Sequence, residues 1–349
     1  MKIIQISPFE ESVPPKKYGG TELVVYNLTQ ELVRKGHEVH LIASGDSRSD
    51  AKLLPVFPKS LRRYPSTQDM RARDALKYMG IGKVLELLKN TGADIIHNHI
   101  GWRLLPFAAF FGAPCVTTLH GPLDPDYQKL VYGAYASSNY VSISNSQRVP
   151  LKKLNYAGTV YNGIDIKKFK YSDKGGDYFA FLGRMSPEKG PVQAIKLAKK
   201  AGIKLVMAAK VDAVDNSYFT KEVKPLIDGK QISFIGEVGH NDKVKLLRNA
   251  RALLAPIQWR EPFGLFFIEA MACGTPVITN KLGSAPEIIK NGETGFVADN
   301  EAQLLSAVRG ISNISRADCR KRVERFFTSE KMTEGYEEIY RKLILKKKI

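Results

Sequence analysis

The sequence predicts an α/β protein built from two doubly wound units that face each other across a cleft. Three observations carry this. Short apolar runs ending at Gly, Pro, Ser or Asn alternate with helix-length stretches, as in parallel sheet covered by helices. The alternation breaks at Asn162–Gly176, which holds an Asn-Gly turn, a lysine pair and a Gly-Gly pair, and then restarts. The chain has 349 residues, enough for two domains at ~100–200 residues each.

Lys2–Ser7 opens as a strand. Thr21–Lys35 reads as a helix because Val24, Leu28 and Leu32 share one face, and Gly36 is placed to stop it. His37–Ala43 is the second strand. After an irregular stretch, Asp69–Asn90 has a helical pattern, and Asp94–Asn98, Pro114–Leu119 and Tyr140–Ser144 follow as strands. In the second half Tyr178–Leu182 is a strand and Pro191–Ala201 a helix stopped by Gly202. Ile203–Ala208, Gln231–Ile235, Ala252–Ala255 and Pro276–Thr279 are strands, with a helix at Phe266–Ala272 that ends at Gly274. Ser329–Lys348 is an isolated helix pattern with a basic end. The expected division is therefore 1–165, 166–328 and a C-terminal helix, 329–349, packing back on the first domain. Ligands of doubly wound sheets sit at the carboxyl ends of the strands.

Composition excludes several classes. With 44% hydrophobic and 25% charged residues the chain is neither disordered nor fibrous. No apolar run reaches the ~18 residues of a membrane helix. Pro8 and Glu10 interrupt the first apolar stretch too early for an export signal. Cys115, Cys273 and Cys319 lie far apart, without metal or redox spacing, so the expected compartment is the reducing cytoplasm. The formal charge of +18 favours polyanions: nucleotides, nucleic acid or an anionic membrane face. A lysine-rich intracellular protein would show the same balance.

Three segments suit phosphate or sugar chemistry. Lys16-Lys17-Tyr18-Gly19-Gly20-Thr21-Glu22 brings two glycines to the start of a helix, whose free N–H groups attract anions. It is neither G-x-G-x-x-G nor a Walker A loop, and a plain turn has the same composition. Gly183–Gly190 (G-R-M-S-P-E-K-G) places Arg184 and Lys189 where a strand ends, which suits a diphosphate and equally a solvated loop. Glu261–Glu269 (E-P-F-G-L-F-F-I-E) sets one glutamate in a loop and another in the following helix, and carboxylates accept from sugar hydroxyls. His97 and His99 share a strand face but lack a third ligand, and Asp124 and Asp126 lie beside no nucleotide motif. No metal ion is expected.

Together these segments resemble family 4 glycosyltransferases with the glycosyltransferase-B fold of two Rossmann-like domains. D-I-I-H-N-H (Asp94–His99), T-L-H-G (Thr118–Gly121) and Y-N-G-I-D (Tyr161–Asp165) complete the pattern, which spans nearly the whole chain. T-L-H-G-P-L-D, V-S-I-S-N-S-Q-R and Y-G-G-T-E look closest to a subgroup of UDP-glucose:tetrahydrobiopterin glucosyltransferases. The resemblance implies an N-terminal acceptor domain and a C-terminal donor domain. It implies that Gly19 and Gly20 approach the donor phosphates and that Arg184 and Lys189 bind the diphosphate. Glu269 corresponds to the glutamate that holds the ribose, and Glu261 to the one near the sugar hydroxyls. Phe263, Gly264 and Leu265 match a loop beside sugar and phosphate, and His120 an active-site histidine. The Gly236–Val238 turn falls where relatives contact the base. Ala208-Ala209-Lys210 departs from the glycine of many relatives, with Lys210 substituting charge for close approach.

The expected function is sugar transfer with retention from a nucleotide diphosphate sugar, a UDP-sugar before a GDP-sugar. No cofactor is expected, and the acceptor is a small molecule, a glycan or a lipid-linked species. A phosphorylase or sugar epimerase of the same fold is the alternative. A nucleic-acid-binding protein would need aromatic residues among its cations or a known motif, and neither is present. Lys59, Arg62, Arg63, Arg71 and Arg73 crowd one segment against the single acid Asp69. They suit peripheral docking on the inner face of an anionic membrane, an anionic acceptor, or a solvated loop.

Overall fold

The computed structural model describes residues 1–17, 19–64 and 69–348, the last by its backbone. Tyr18 of the Gly-Gly segment and residues 65–68 of the basic segment lie outside the described residues. Two compact units form, Met1–Gly163 with Ser329–Ile349, and Ile164–Thr328.

The first unit is a seven-stranded parallel sheet of β1 (Lys2–Ile6), β2 (Glu38–Ala43), β3 (Lys52–Pro55), β4 (Ile95–Asn98), β5 (Cys115–Leu119), β6 (Asn139–Ser142) and β7 (Tyr156–Thr159), in the order β3-β2-β1-β4-β5-β6-β7. Central strands are buried almost throughout, because helices cover both faces of such a sheet. Helix α1 (Gly20–Arg34) buries Val24, Leu28 and Leu32, and Gly36, at φ +84°, ends it. The His37 N–H then donates to the Leu32 carbonyl at 3.1 Å. Helix α2 (Met70–Asn90) is capped by Asp69, which accepts from the Arg71 N–H. The C-terminal helix, Ser329–Lys348, packs on α1 and buries Tyr336 and Tyr340 completely.

The second unit has six parallel strands: β8 (Tyr178–Arg184), β9 (Lys204–Lys210), β10 (Ile232–Phe234), β11 (Ala252–Ala255), β12 (Val277–Asn280) and β13 (Gly295–Ala298). Their order is β10-β9-β8-β11-β12-β13, so the winding reverses between β8 and β11. In the first unit it reverses between β1 and β4. These two switch points are where doubly wound sheets bind ligands.

The expected strands and long helices form, with ends shifted by a residue or two. The strands that were not foreseen lie at sheet edges. β3 (K-L-L-P) is half exposed and ends in proline, and β7 (Y-A-G-T) has no aliphatic run, so neither carries a strand pattern. β13 and the helices Asp126–Ala134, His240–Asn249, Glu301–Gly310 and Arg316–Phe326 were also not foreseen. Among the described residues, no helix is long and apolar enough to cross a membrane.

Candidate active site

In the second unit, β8 ends at Arg184 and β11 at Ala255, side by side at the switch point. The two following loops are tied together: the Gln258 N–H donates to the Glu188 carbonyl at 2.8 Å. Gly190, at φ +71°, lies so close to the Pro256 carbonyl that any side chain would collide with it. The glycine is therefore what lets the cationic loop reach the acidic one.

Each cation here is matched to a carboxylate. Arg184 pairs with Glu188, and its Nε lies 3.2 Å from Asp215 Oδ2. Asp212 stands 3.9 Å from Arg184 and 2.9 Å from Lys210. Burial is the largest influence on Glu188 and pushes its pKa up. Bonds from Ser186, the backbone and Arg184 outweigh it, so the net direction is down. Burial raises that of Asp215 against the pull of Arg184.

Lys189 pairs with Glu261, which also accepts from Trp259 Nε1 at 3.0 Å. The ammonium lies 4.9 Å from the ring centres of Trp259 and Phe266, a cation–π cage with little water. Glu261 is 6% exposed. Its carbonyl accepts from the Ser284 N–H at 2.9 Å, and Ser284 Oγ donates to the Phe263 carbonyl at 2.8 Å. Gly264, at φ +81°, then starts the helix Leu265–Ala272, and a Cβ there would stand 2.5 Å from the Phe267 ring. On that helix Glu269, 4% exposed, pairs with Lys243 of the His240–Asn249 helix. Gly236 turns the chain beyond β10 at φ +76°, with open space beside it, and Val238 follows in the same turn.

In the first unit, His120 follows β5 and His99 follows β4. His120 Nε2 and His99 Nδ1 are 2.8 Å apart, and His99 Nε2 lies 2.6 Å from Gln5 Oε1. His97 bonds Tyr340 Oη at 2.6 Å and Thr118 Oγ1 at 2.7 Å. Both nitrogens of His97 and of His99 are thus engaged within the fold, which leaves neither for a metal. Burial holds all three imidazoles neutral and carries the pKa of His120 down to about 3. A cavity of about 250 Å³ opens beside His99 and His120, with Trp102, Arg103, Glu10 and Lys77 among its walls. Arg103 stacks on Trp102 at 4.6 Å, and no described carboxylate pairs with it. Gly19 sits where a Cβ would overlap Pro15, and Gly20 begins α1.

The basic segment is largely neutralised from outside itself. Arg62 pairs with Glu11 at 3.1 Å, Arg63 with Asp46 at 3.3 Å and Arg73 with Glu10 at 2.8 Å. Asp124 and Asp126 are exposed, with Lys129 3.0 Å from Asp126. Among the described residues no group of three His, Cys, Asp or Glu is arranged to hold a metal ion.

Sequence reasoning missed Lys243, Trp259, Asp212, Asp215 and the Gln5–His99–His120 chain. Gln5 left one readable trace, a polar residue inside an apolar strand run. Lys243 left none, because its helix was not foreseen.

Residues 18–168 match the family described as Glycosyltransferase Family 4, and residues 164–326 that described as Glycosyl transferases group 1. The chain is 28% identical to N-acetyl-alpha-D-glucosaminyl L-malate synthase of Bacillus anthracis, over 92% of this chain and 93% of that protein. It is 24% identical to a glycogen synthase of Mycobacterium tuberculosis, over 89% and 86%. The crystal structure of AviGT4, a glycosyltransferase involved in avilamycin A biosynthesis, superposes with a TM-score of 0.74 at 25% identity, covering 99% and 98%. HepE of Anabaena, solved with UDP-glucose, superposes at 0.73 with 18% identity, covering 98% and 100%, a likeness of fold.

Proposed function

Because the chain is a glycosyltransferase, assembled from a family 4 part and a group 1 part on the glycosyltransferase-B fold, we propose that it transfers a sugar from a UDP-sugar with retention of anomeric configuration. The observation that carries this is the pair of buried carboxylates, Glu261 and Glu269, each held by its own lysine at the switch point of the second unit. A donor diphosphate would take Lys189 and Arg184 over from their carboxylates. Glu261 would then accept from the donor sugar and Glu269 from the ribose, with Phe263, Gly264 and Leu265 along sugar and phosphate. The base would lie at Gly236 and Val238. UDP is favoured by the resemblance of the sequence, and HepE, of the same fold, holds UDP-glucose.

Catalysis rests on charge. As the bond from the anomeric carbon to the phosphate oxygen breaks, the two cations stabilise the departing diphosphate. The acceptor oxygen bonds the same face of that carbon, and its proton passes to the departing phosphate oxygen. Glu261, which keeps its bond from Trp259 Nε1 once Lys189 turns to the diphosphate, is read as a binding group rather than a covalent nucleophile. No step calls for a metal ion, because Arg184 and Lys189 supply the positive charge. In the first unit, the proposal keeps Gly19, Gly20 and His120 as substrate-binding residues.

The acceptor would enter the first-unit cavity. Arg103, stacked and with no carboxylate partner among the described residues, favours an acceptor that carries a carboxylate or phosphate beside its hydroxyl. The Bacillus relative is named for such an acid. The reading places the enzyme in a reducing compartment. Its three cysteines are free, and burial pushes their thiols up to about 12. Incubation with UDP-sugars and a panel of hydroxy acids, followed by mass spectrometry and NMR of the anomeric proton, tests the proposal. An α-linked product from an α-linked donor is expected. An inverted product, or none from any UDP-sugar, contradicts it.

A further inference from the structure

Seven polar groups run in single file through the interior of the first unit. In order they are His120, His99, Gln5, Tyr340, His97, Thr118 and Tyr336. They come from β1, the ends of β4 and β5, and the C-terminal helix. All but His120 are at most 3% exposed, so water cannot reset their protons.

The direction of the file follows from Gln5, since an amide oxygen only accepts and an amide nitrogen only donates. Gln5 Oε1 stands 2.6 Å from His99 Nε2, and Gln5 Nε2 3.1 Å from Tyr340 Oη. The reverse orientation would place an N–H···N bond at the 2.6 Å contact, and a nitrogen acceptor stands farther from its donor than an oxygen acceptor does, so the oxygen belongs at this shorter contact. His99 Nε2 therefore carries the proton and donates to Gln5. A neutral His99 then has a bare Nδ1, which accepts, and His120 Nε2 must carry the proton between them. One further bond away, Tyr340 accepts from Gln5, so its own O–H points to His97 Nδ1, and His97 Nε2–H to Thr118.

We propose that Gln5 and His99 are positioning residues that fix the proton of His120 on Nε2, so that His120 offers a substrate hydroxyl a bare, accepting Nδ1. The proposal rests on the glycosyltransferase reading for the substrate hydroxyl, while the proton placement stands on the protein alone. Burial of the three imidazoles supports it, because a cationic ring would donate from both nitrogens and break the file. His120 then orients a hydroxyl and does not neutralise the diphosphate, a task left to Arg184 and Lys189.

The test uses the full chain labelled with ¹⁵N-histidine, whose two-bond ¹H–¹⁵N couplings distinguish Nε2–H from Nδ1–H. Wild type should show His97, His99 and His120 each as a single Nε2–H tautomer near neutral pH. His99→Phe removes the acceptor. It should leave His120 as a mixture of tautomers and lower kcat at least about tenfold, as one lost hydrogen bond would, with donor KM within about twofold. His99→Gln, whose amide oxygen can accept from His120, should restore the single tautomer and most of the turnover. An Nδ1–H tautomer of His120 in wild type overturns the proposal. So does a single Nε2–H tautomer with full turnover in His99→Phe. If His99→Phe does not fold, wild type and His99→Gln decide. The tautomer is read without substrate, so a wrong donor assignment would leave it intact, and the absence of transfer would count against the glycosyltransferase reading alone.

Discussion

Lys243→Met probes the proposed nucleotide site of the second unit through a residue that the sequence did not single out. Glu269 is 4% exposed, and Lys243 is the one cation paired with it among the described residues. The substitution keeps the bulk of the side chain and strands a carboxylate on the Leu265–Ala272 helix. Breaking a buried pair in this way costs about 3–5 kcal/mol. The Lys243 side chain retains 17% of its exposure, so the lower end, about 3 kcal/mol, applies after discount for screening. At about 2–4 °C per kcal/mol for a unit of this size, the melting transition should fall by about 6–12 °C. Adding Glu269→Gln removes the stranded charge and should recover most of the loss, a non-additivity that a double-mutant cycle measures directly. Calorimetric unfolding of the full chain near pH 7 is the assay, with UDP titrated into the same proteins. UDP affinity should drop at least about tenfold, because the carboxylate proposed to hold the ribose loses its orientation. A melting temperature within about 2 °C of wild type, or a loss that Glu269→Gln does not relieve, would refute the reasoning.

Arg184→Ala should reduce turnover by about 10²–10³-fold, as expected for a lost partner of transition-state charge. Steady-state assays showing activity within a few-fold of wild type would remove Arg184 from the site. Burial pushes the carboxyl of Glu22, in the first turn of α1, up to about 7. Above its ordinary 4.5 the unfolded chain has lost this proton while the folded chain still holds it. Stability should therefore fall as pH rises across that window, by about 3 kcal/mol when fully developed. Glu22→Gln lacks this dependence. The wild-type-minus-variant difference in unfolding free energy should decline from about pH 4.5 to about pH 8, and a flat difference contradicts the burial. The buried histidines act in the opposite sense, losing stability as pH falls below their unfolded value, which is why the difference is informative and the wild-type profile alone is not.

The architecture was legible because strands buried on both faces leave apolar runs that little else imitates. Ile3, Ile4 and Ile6 are all fully buried, as the opening strand pattern requires. Edge strands escape that logic: β3 is half exposed, with none of its four residues fully buried, and needs no such run. The carboxylates and cations of the second unit were legible as residues, through their spacing after a strand and across a loop. Their partnerships were not. Nothing in the sequence ties Lys189 to Glu261, 72 positions away, or His97 to Tyr340, 243 positions away. The first pairing arises where the strand order reverses and brings the ends of β8 and β11 together, the second where the C-terminal helix packs back on the first unit. The basic segment shows the converse: read in isolation it is a cationic patch, yet Glu10, Glu11 and Asp46 pair with three of its arginines.

The central claim is that the second unit holds a UDP-sugar through two carboxylates with divided tasks. Calorimetric titration of UDP and of UDP-glucose into wild type, Glu261→Ala and Glu269→Ala tests it most directly. Wild type should bind both ligands. Glu269→Ala should weaken both by at least about tenfold, about 1.4 kcal/mol each. Glu261→Ala should weaken UDP-glucose by a similar factor and leave UDP within about twofold. Absence of UDP binding to wild type, or equal losses for both ligands in both variants, would contradict the account.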